Sequence, residues 1–285
     1  MNILELEHIN LEDWELTKEA SDQKVYQKKN IQKRIQIFEN YSVEENFKND
    51  VLHGYTIGRM NESFPHNPEG NESKIYLIEQ YENSKQIGVA QNFYEDGSRH
   101  LSNWENDQLH GVSTLWYGNG QKEKEQHYVH GKRHGLQNEW HENGQLKTKE
   151  NYTDGVLDGE SLKYLESGFI KRKQTYLNGK VEGVVYELWD YNGKVVDGGV
   201  YSETEYVNGI AHGKEMVYYP DGTKMRTAYK QNGIADGERI WWNKDGSISI
   251  KEFYKNGELD GDRLIYDKKG QLENIQKYQK GEHIA

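Results

Sequence analysis

Short stretches of alternating side chains, each opened by a glycine, make up most of the chain. After Gly135 the segment Leu136-Gln137-Asn138-Glu139-Trp140-His141 alternates with a period of two, as a strand with two unlike faces does. Asn143-Gly144 follows, a pair that favours a two-residue type I′ reversal because both positions need positive φ. Gln145 to Tyr152 returns as a polar, extended segment, and Thr153 to Gly159 supplies a second turn with two glycines. The unit is a β-hairpin. Its reversal recurs at Asp96-Gly97, Asn119-Gly120, Asn192-Gly193, Asp221-Gly222 and Asp245-Gly246, and in weaker form at Ser167-Gly168 and Lys269-Gly270.

Counted from the opening glycine, positions one, three and five share a strand face. Position five reads Phe93, Trp116, Trp140, Tyr164, Leu188, Tyr218, Trp242 and Tyr266, a ladder with one ring or large aliphatic per hairpin. Position three adds Leu162, Tyr186, Met216, Ile240 and Leu264, interrupted by Gln91, Thr114 and Asn138. The returning segments, such as Lys122 to Gln126, alternate poorly and predict strands wet on both sides, so the sheet is expected to carry one narrow apolar stripe. The opening glycines are Gly54, Gly88, Gly111, Gly135, Gly159, Gly183, Gly213, Gly237 and Gly261, spaced by 34, 23, 24, 24, 24, 30, 24 and 24 residues. A fixed period of this size predicts stacked supersecondary units in place of a globule around one centre. The expected architecture is all-β: an elongated single-layer antiparallel sheet of tandem hairpins, twisted into a shallow trough. About nine repeats fill 41–285 behind an N-terminal capping segment, 1–40, in which a short helix has room, although Ile31 to Tyr41 resembles a returning strand leading into the first turn.

Composition narrows the function classes. The 285 residues have a mean hydropathy of −1.07, yet 21 Tyr and 7 Trp at fixed repeat positions and only 3 Pro argue for a folded chain with a thin core. A formal charge of −11 disfavours nucleic acid, whose phosphates need the opposite sign. With no cysteine there is no disulfide, thiolate chemistry or Cys-type zinc site, in keeping with a reducing compartment. The acidic start MNILELEHINLEDW does not read as a secretory signal, and no stretch approaches a membrane-spanning length, so a soluble, cytoplasmic protein is expected.

Catalytic constellations are not in evidence. The periodic Asp158, Asp236 and Asp260 read as turn residues, and no carboxylate stands in an apolar setting that would raise its pKa. Gly118-x-Gly120 lacks the strand–helix context of a phosphate loop. The spacing of His127, His130, His134 and His141 is metal-like, but strand and turn context separates them, and neither a metal nor a cofactor is expected. The candidates are instead for partner binding. Trp116, Trp140 and Trp242 are amphipathic anchors in the ladder, where the alternative role is core packing. Tyr94, Tyr117, His141, Trp189 and Tyr219, at position six, point the other way and are expected to be the more open set. Two interruptions of the period, near 55–80 and 194–205, carry Phe64, His66 and Tyr201; insertions in repeat arrays gather on binding faces, or are simply tolerated loops.

The phrase Tyr-x-x-Gly-x-x-(His/Asp/Glu)-Gly, as in YVHGKRHG from Tyr128 and YTDGVLDG from Tyr152, resembles the MORN repeat in its bacterial variant form. His110-Gly111, His134-Gly135 and His212-Gly213 carry its His-Gly pair, the likeness running from about Phe47 to Ala285. Glycines expected near Asn83 and Asp107 are missing, which predicts irregular sheet at those points. Multi-repeat proteins of this kind resemble the YwqK-like family of antitoxins. The resemblance implies an elongated all-β strip with a protein-binding role; with no catalytic constellation in the sequence, the expected protein is non-enzymatic and neutralises a toxin by steric occlusion, the negative charge complementing a basic one. The alternative it implies is a structural scaffold that self-associates as a homodimer, at a membrane surface in one version, although negative charge opposes anionic lipid. A carbohydrate-binding module built on the exposed Trp and Tyr residues ranks behind both.

Overall fold

The structure, a computed structural model, describes residues 15–20, 23–28, 31–37, 41–60, 75–189 and 199–284. The chain is all-β: the described strands form antiparallel hairpins of one sheet that is not closed into a barrel. Two units divide it, Met1–Arg133 and His134–Ala285. In the first, Glu15–Ala20, Gln23–Lys28, Ile31–Ile37 and Tyr41–Lys48 pair in succession. Gly54–Met60, Ile75–Glu82, Lys85–Phe93, Arg99–Glu105, Gly111–Trp116 and Lys122–Val129 continue the pairing. The sheet therefore reaches back past residue 41, and the described part of 1–40 contains no helix. The second unit repeats the pattern from Gly135–Trp140 and Leu146–Thr153 to Gly261–Tyr266 and Leu272–Gln279. Among the described residues no helix is long and apolar enough to cross a membrane.

Two kinds of turn alternate along the sheet, and the type I′ turn is not where the sequence pattern put it. At Asn143-Gly144 only the glycine has positive φ; the Gly144 amide donates to the His141 carbonyl and the His141 amide to Gln145, a type I turn closed by a left-handed glycine. Pro220 occupies the second position of the equivalent turn at Tyr219–Gly222, where its fixed φ is suited. The type I′ geometry lies at the other end of each hairpin. Asp154-Gly155, Asn178-Gly179, Asn208-Gly209 and Asn256-Gly257 have positive φ at both residues. Asn83-Ser84 and Asn106-Asp107 adopt the same geometry without glycine, so the sheet stays regular at those two points. Asn and Asp tolerate the left-handed region well enough for this.

These I′ turns explain the repeated phrase. Each is held by the hairpin before it: the Gly179 amide donates to the Leu157 carbonyl, Gly209 to Val181, Gly233 to Ala211 and Gly257 to Ala235, all at 2.8 Å. The His, Asp or Glu preceding the opening glycine adds a side-chain acceptor for the first turn residue. Asn178 donates its amide to Asp158 (3.3 Å), Asn208 to Glu182 (2.8 Å), Asn256 to Asp236 (3.1 Å) and Asn232 to His212 Nδ1 (3.5 Å). Three residue types are interchangeable there because each offers one acceptor at the same reach. The opening glycine itself lies in a bulge: residues 158–160, for example, stand opposite Asn151 alone, and Gly159 has φ +107°.

The sheet's two faces differ in an unexpected way. Positions two and four, with the phrase tyrosines, form one face, and its centre line is polar and buried. Ser102 and Ser161 are 1% exposed, Gln137 and Gln174 4%, and Glu252 6%. The tyrosines lean over this line: Tyr128 donates to Gln126 (3.1 Å), Tyr152 to Glu150 (3.2 Å) and Tyr278 to Gln276 (3.3 Å), while Gln174 donates to Tyr176 at 2.6 Å. Arginines cover the rest, Arg226 pairing with Glu215 (2.6 Å) and Arg263 with Glu252 (3.0 Å). The expectation of a single apolar stripe and wet returning strands is thus corrected. Gln174 and Glu252 belong to returning strands, and polar groups can be buried there because each has a partner within one strand spacing.

Replacing Gly222 by Ala is expected to cost about 1 kcal/mol from backbone strain alone, since its φ is +85° and no atom lies within 4 Å of the place an added methyl would take. Gly179→Ala is expected to cost about 2 kcal/mol, since its methyl would also meet Val156 Cγ1 at 3.0 Å and valine has little rotameric freedom. Urea unfolding of both variants measures the difference. Asp158→Ala should lower stability by about 1 kcal/mol and speed hydrogen exchange at the Asn178 amide, with other turns unchanged.

Candidate binding face

The opposite face, made of positions one, three and five, carries the rings. Arg99 stacks on Trp116 at 4.5 Å, directly across the strand pair, and Lys224 lies over Trp242 at 5.6 Å. The Trp116, Trp140 and Trp242 rings are half-buried, as large rings on a one-layer sheet must be. Tyr186, Tyr201 and Tyr218 form a continuous run, with centroids 5.4 and 4.6 Å apart and the second pair stacked. Burial, aided by the Glu203 carboxylate, pushes the Tyr218 hydroxyl up to about 12, and burial likewise raises Tyr186 and Tyr201. All three are protonated at neutral pH and present rings and hydroxyls, with no phenolate among them.

Aliphatic residues left open lie on this same face. Leu177 is 57% exposed, Val184 54%, Ile234 50%, Ile210 49% and Val156 45%. Registers Leu177↔Lys180, Val207↔Ile210 and Thr153↔Val156 put these side chains beside the I′ turns, and Val184, one residue after an opening glycine, continues them inward. In the second unit the ring face therefore carries partly open rings along one side and open aliphatics along the other, with the ion pairs Lys173–Glu160 and Lys251–Glu238 between them. Sequence reading missed the aliphatic row. Its signal was present at Val156, Leu177, Val207, Ile210 and Ile234, where apolar residues flank turns that polar residues would serve as well.

Position six does not form a second open face. It starts the turn at the far end of each hairpin, and only Tyr94 is exposed; Tyr117, His141 and Tyr219 are half-buried. His141 Nε2 lies 3.3 Å from the Tyr164 carbonyl, and the Tyr219 hydroxyl donates to the Trp242 carbonyl at 3.3 Å. These side chains join one turn to the next hairpin. Of Trp189 only the backbone is described, and Phe64 and His66 lie outside the described residues. Tyr201 does not belong to the insertion: it is in the strand Val200–Val207, so the extra length before Tyr206 falls within 190–198, outside the described residues. Strands Gly54–Met60 and Ile75–Glu82 pair as an ordinary hairpin on either side of 61–74.

Titratable clusters are few among the described residues. His100 Nε2 lies 2.7 Å from Ser113 Oγ, and burial lowers the imidazole below its ordinary value, so it serves as a neutral hydrogen-bond partner to a buried serine of the polar line. His127 and His130 belong to the first unit, His134 and His141 to the second. His134 faces Asp154 (3.4 Å), whereas His130 meets His110, with ring centroids 4.9 Å apart, beside Glu105. Glu105, His110 and His130 are the described group whose ligand atoms could share an ion.

A model of the MORN repeat variant matches residues 109–130, 133–154 and 235–256. The chain carries MORN repeats of the variant type. Each matched MORN segment begins two residues before an opening glycine, Gly111, Gly135 or Gly237, and ends on the first residue of an I′ turn or its equivalent. The MORN phrase is therefore the interlocked part of the structure. Hairpins opening at Gly159, Gly183, Gly213 and Gly261, outside the matched segments, keep the same left-handed glycine. A comparison with curated proteins gives no match.

Hydrogen bonds from Ser98, Thr223 and Ser247, side chain and amide together, hold the Asp96, Asp221 and Asp245 carboxyls below the usual carboxylate range. Because these folded-state values are depressed, their contribution to stability is present above the ordinary Asp range and lost as pH falls through the lowered values. Carboxyl NMR titration should find Asp221 and Asp245 titrating below ordinary Asp. Thr223→Ala and Ser247→Ala are each expected to move only the adjoining carboxyl back up.

Proposed function

We propose that this MORN-repeat chain is a non-catalytic, cytoplasmic protein that binds a protein partner across the ring face of its second unit. The observation that carries the reading is the inversion of the sheet: polar groups are buried on one face, and open aliphatics stand beside partly open rings on the other. Open aliphatics and amphipathic aromatics, with charged pairs between them, are what protein interfaces are made from. Strand spacing repeats the contact about every 10 Å, which suits an extended footprint. Neutral tyrosines and a half-buried tryptophan ladder supply anchors of low conformational entropy.

The finer reading is an antitoxin or immunity-type role, in which the sheet covers the active surface of a toxin. It is supported by the resemblance to YwqK-like proteins and by the net charge of −11, which would draw in a basic partner. Occlusion needs no turnover, in keeping with a binding surface rich in rings and aliphatics.

The test is co-purification of the full chain with the product of the adjacent gene, together with growth rescue on co-expression. Complex formation and rescue are expected. The double variant Leu177→Asp/Ile210→Asp, at exposed positions, should weaken the complex by about 2 kcal/mol or more, roughly thirtyfold, while thermal stability stays near wild type. Binding that survives this variant unchanged would remove the ring face from the reading; absence of rescue despite binding would remove the antitoxin role.

A further inference from the structure

The Glu105–His110–His130 cluster has a composition that the repeat does not account for. Glu105 closes a returning strand at the place where Val129, Thr153, Leu177 and Val207 stand in other hairpins. His130 is the first residue of an I′ turn, with φ +47°, where Asn178, Asn208, Asn232 and Asn256 occur elsewhere. His110 is at the acceptor position, as His212 is in its own hairpin. The hairpin of His212 has Val207 and Asn232 at the other two places, so it concentrates one ligand where this one has three.

The three donor atoms converge. Glu105 Oε2 lies 3.2 Å from His110 Nδ1 and 3.8 Å from His130 Nδ1, and all three are within 4.8 Å of one another. Donors bound at about 2.0–2.1 Å around a tetrahedral zinc ion stand about 3.3–3.4 Å apart, so shifts of under about 1.5 Å in exposed side chains would close the set. His110 Nδ1 also accepts the His130 amide, but at 3.5 Å, the long distance shared by the caps at His134 and His212. An ion would therefore take over a lone pair that is poorly used. Two imidazoles and one carboxylate leave a coordination position open to solvent, and all three residues are accessible from outside.

We propose that Glu105, His110 and His130 bind one divalent transition-metal ion of the zinc class. The site ties the I′ turn at His130-Gly131 to the hairpin before it, replacing the long His130 amide–His110 cap beside the Gly131 amide–Leu109 carbonyl bond of 2.8 Å. It is independent of the partner-binding reading.

Calorimetric titration of the full chain with zinc chloride, with the bound ion counted by elemental analysis after gel filtration, tests the site. One ion per chain is expected, accompanied by a rise in Tm that EDTA reverses. His130→Asn restores the residue of the neighbouring turns and keeps their left-handed geometry; Glu105→Val restores the residue found at Val129. Each should weaken zinc binding at least about tenfold with the metal-free Tm near wild type. X-ray absorption of the zinc-loaded chain should show imidazole and carboxylate ligands. No zinc uptake by the wild type, or wild-type affinity in both variants, would overturn the proposal.

Discussion

A single-layer sheet has no second layer to pack against, so each hairpin must draw its order from the hairpin before it. The I′ turns meet that constraint. A turn with two left-handed residues presents its amide groups outward, and the preceding unit supplies a carbonyl for the glycine, as Leu157 does for Gly179, and a side-chain acceptor for its neighbour, as Asp158 does for Asn178. The repeated phrase spells out this joint. Its tyrosine belongs to the same logic, since Tyr152 and Tyr176 cover the polar line beside the turn that each precedes. Stability of such an array is a sum over neighbouring joints more than a property of one core.

The period, the antiparallel hairpins and the ring ladder at Trp116, Trp140 and Trp242 were legible because glycine spacing and alternation are local signals. The assignment of turn types was not. Asn143-Gly144 and Asn178-Gly179 are the same dipeptide, and what separates them is the number of residues left unpaired between strands: two between Leu177 and Lys180, five between Trp140 and Leu146, beside a register shift at Glu139/Trp140. Nor did absent glycines at Ser84 and Asp107 disturb the sheet, because Asn83 and Asn106 already favour the geometry. The buried polar line escaped notice for a different reason. Gln174 and Glu252 look like solvent-facing residues until their partners, Tyr176 two residues on and Arg263 on the adjacent strand, are in place.

The consequence for the candidate face is a reversal of the usual reading of amphipathic strands. Hydrogen bonding fastens the polar face shut, through pairs such as Arg226–Glu215 and Arg172–Gln174, and the ring face keeps its aliphatics at the I′ ends open. Rings at position five are overlain by cations such as Arg99 and Lys224, which shield them without burying them. Leu177, Val184, Ile210 and Ile234 have no such shielding, and they set the character of the surface.

The asymmetry between the two kinds of turn also governs where the chain can change length. Extra residues at an I′ turn would part it from the acceptors behind it, whereas the type I turns are anchored more lightly. Both long interruptions of the period fall at that second kind of position, between Met60 and Ile75 and between Trp189 and Val200. Within each unit the I′ ends of the hairpins are thus fixed in register while the type I ends are free to acquire new segments, so variation among such chains should accumulate at the type I ends.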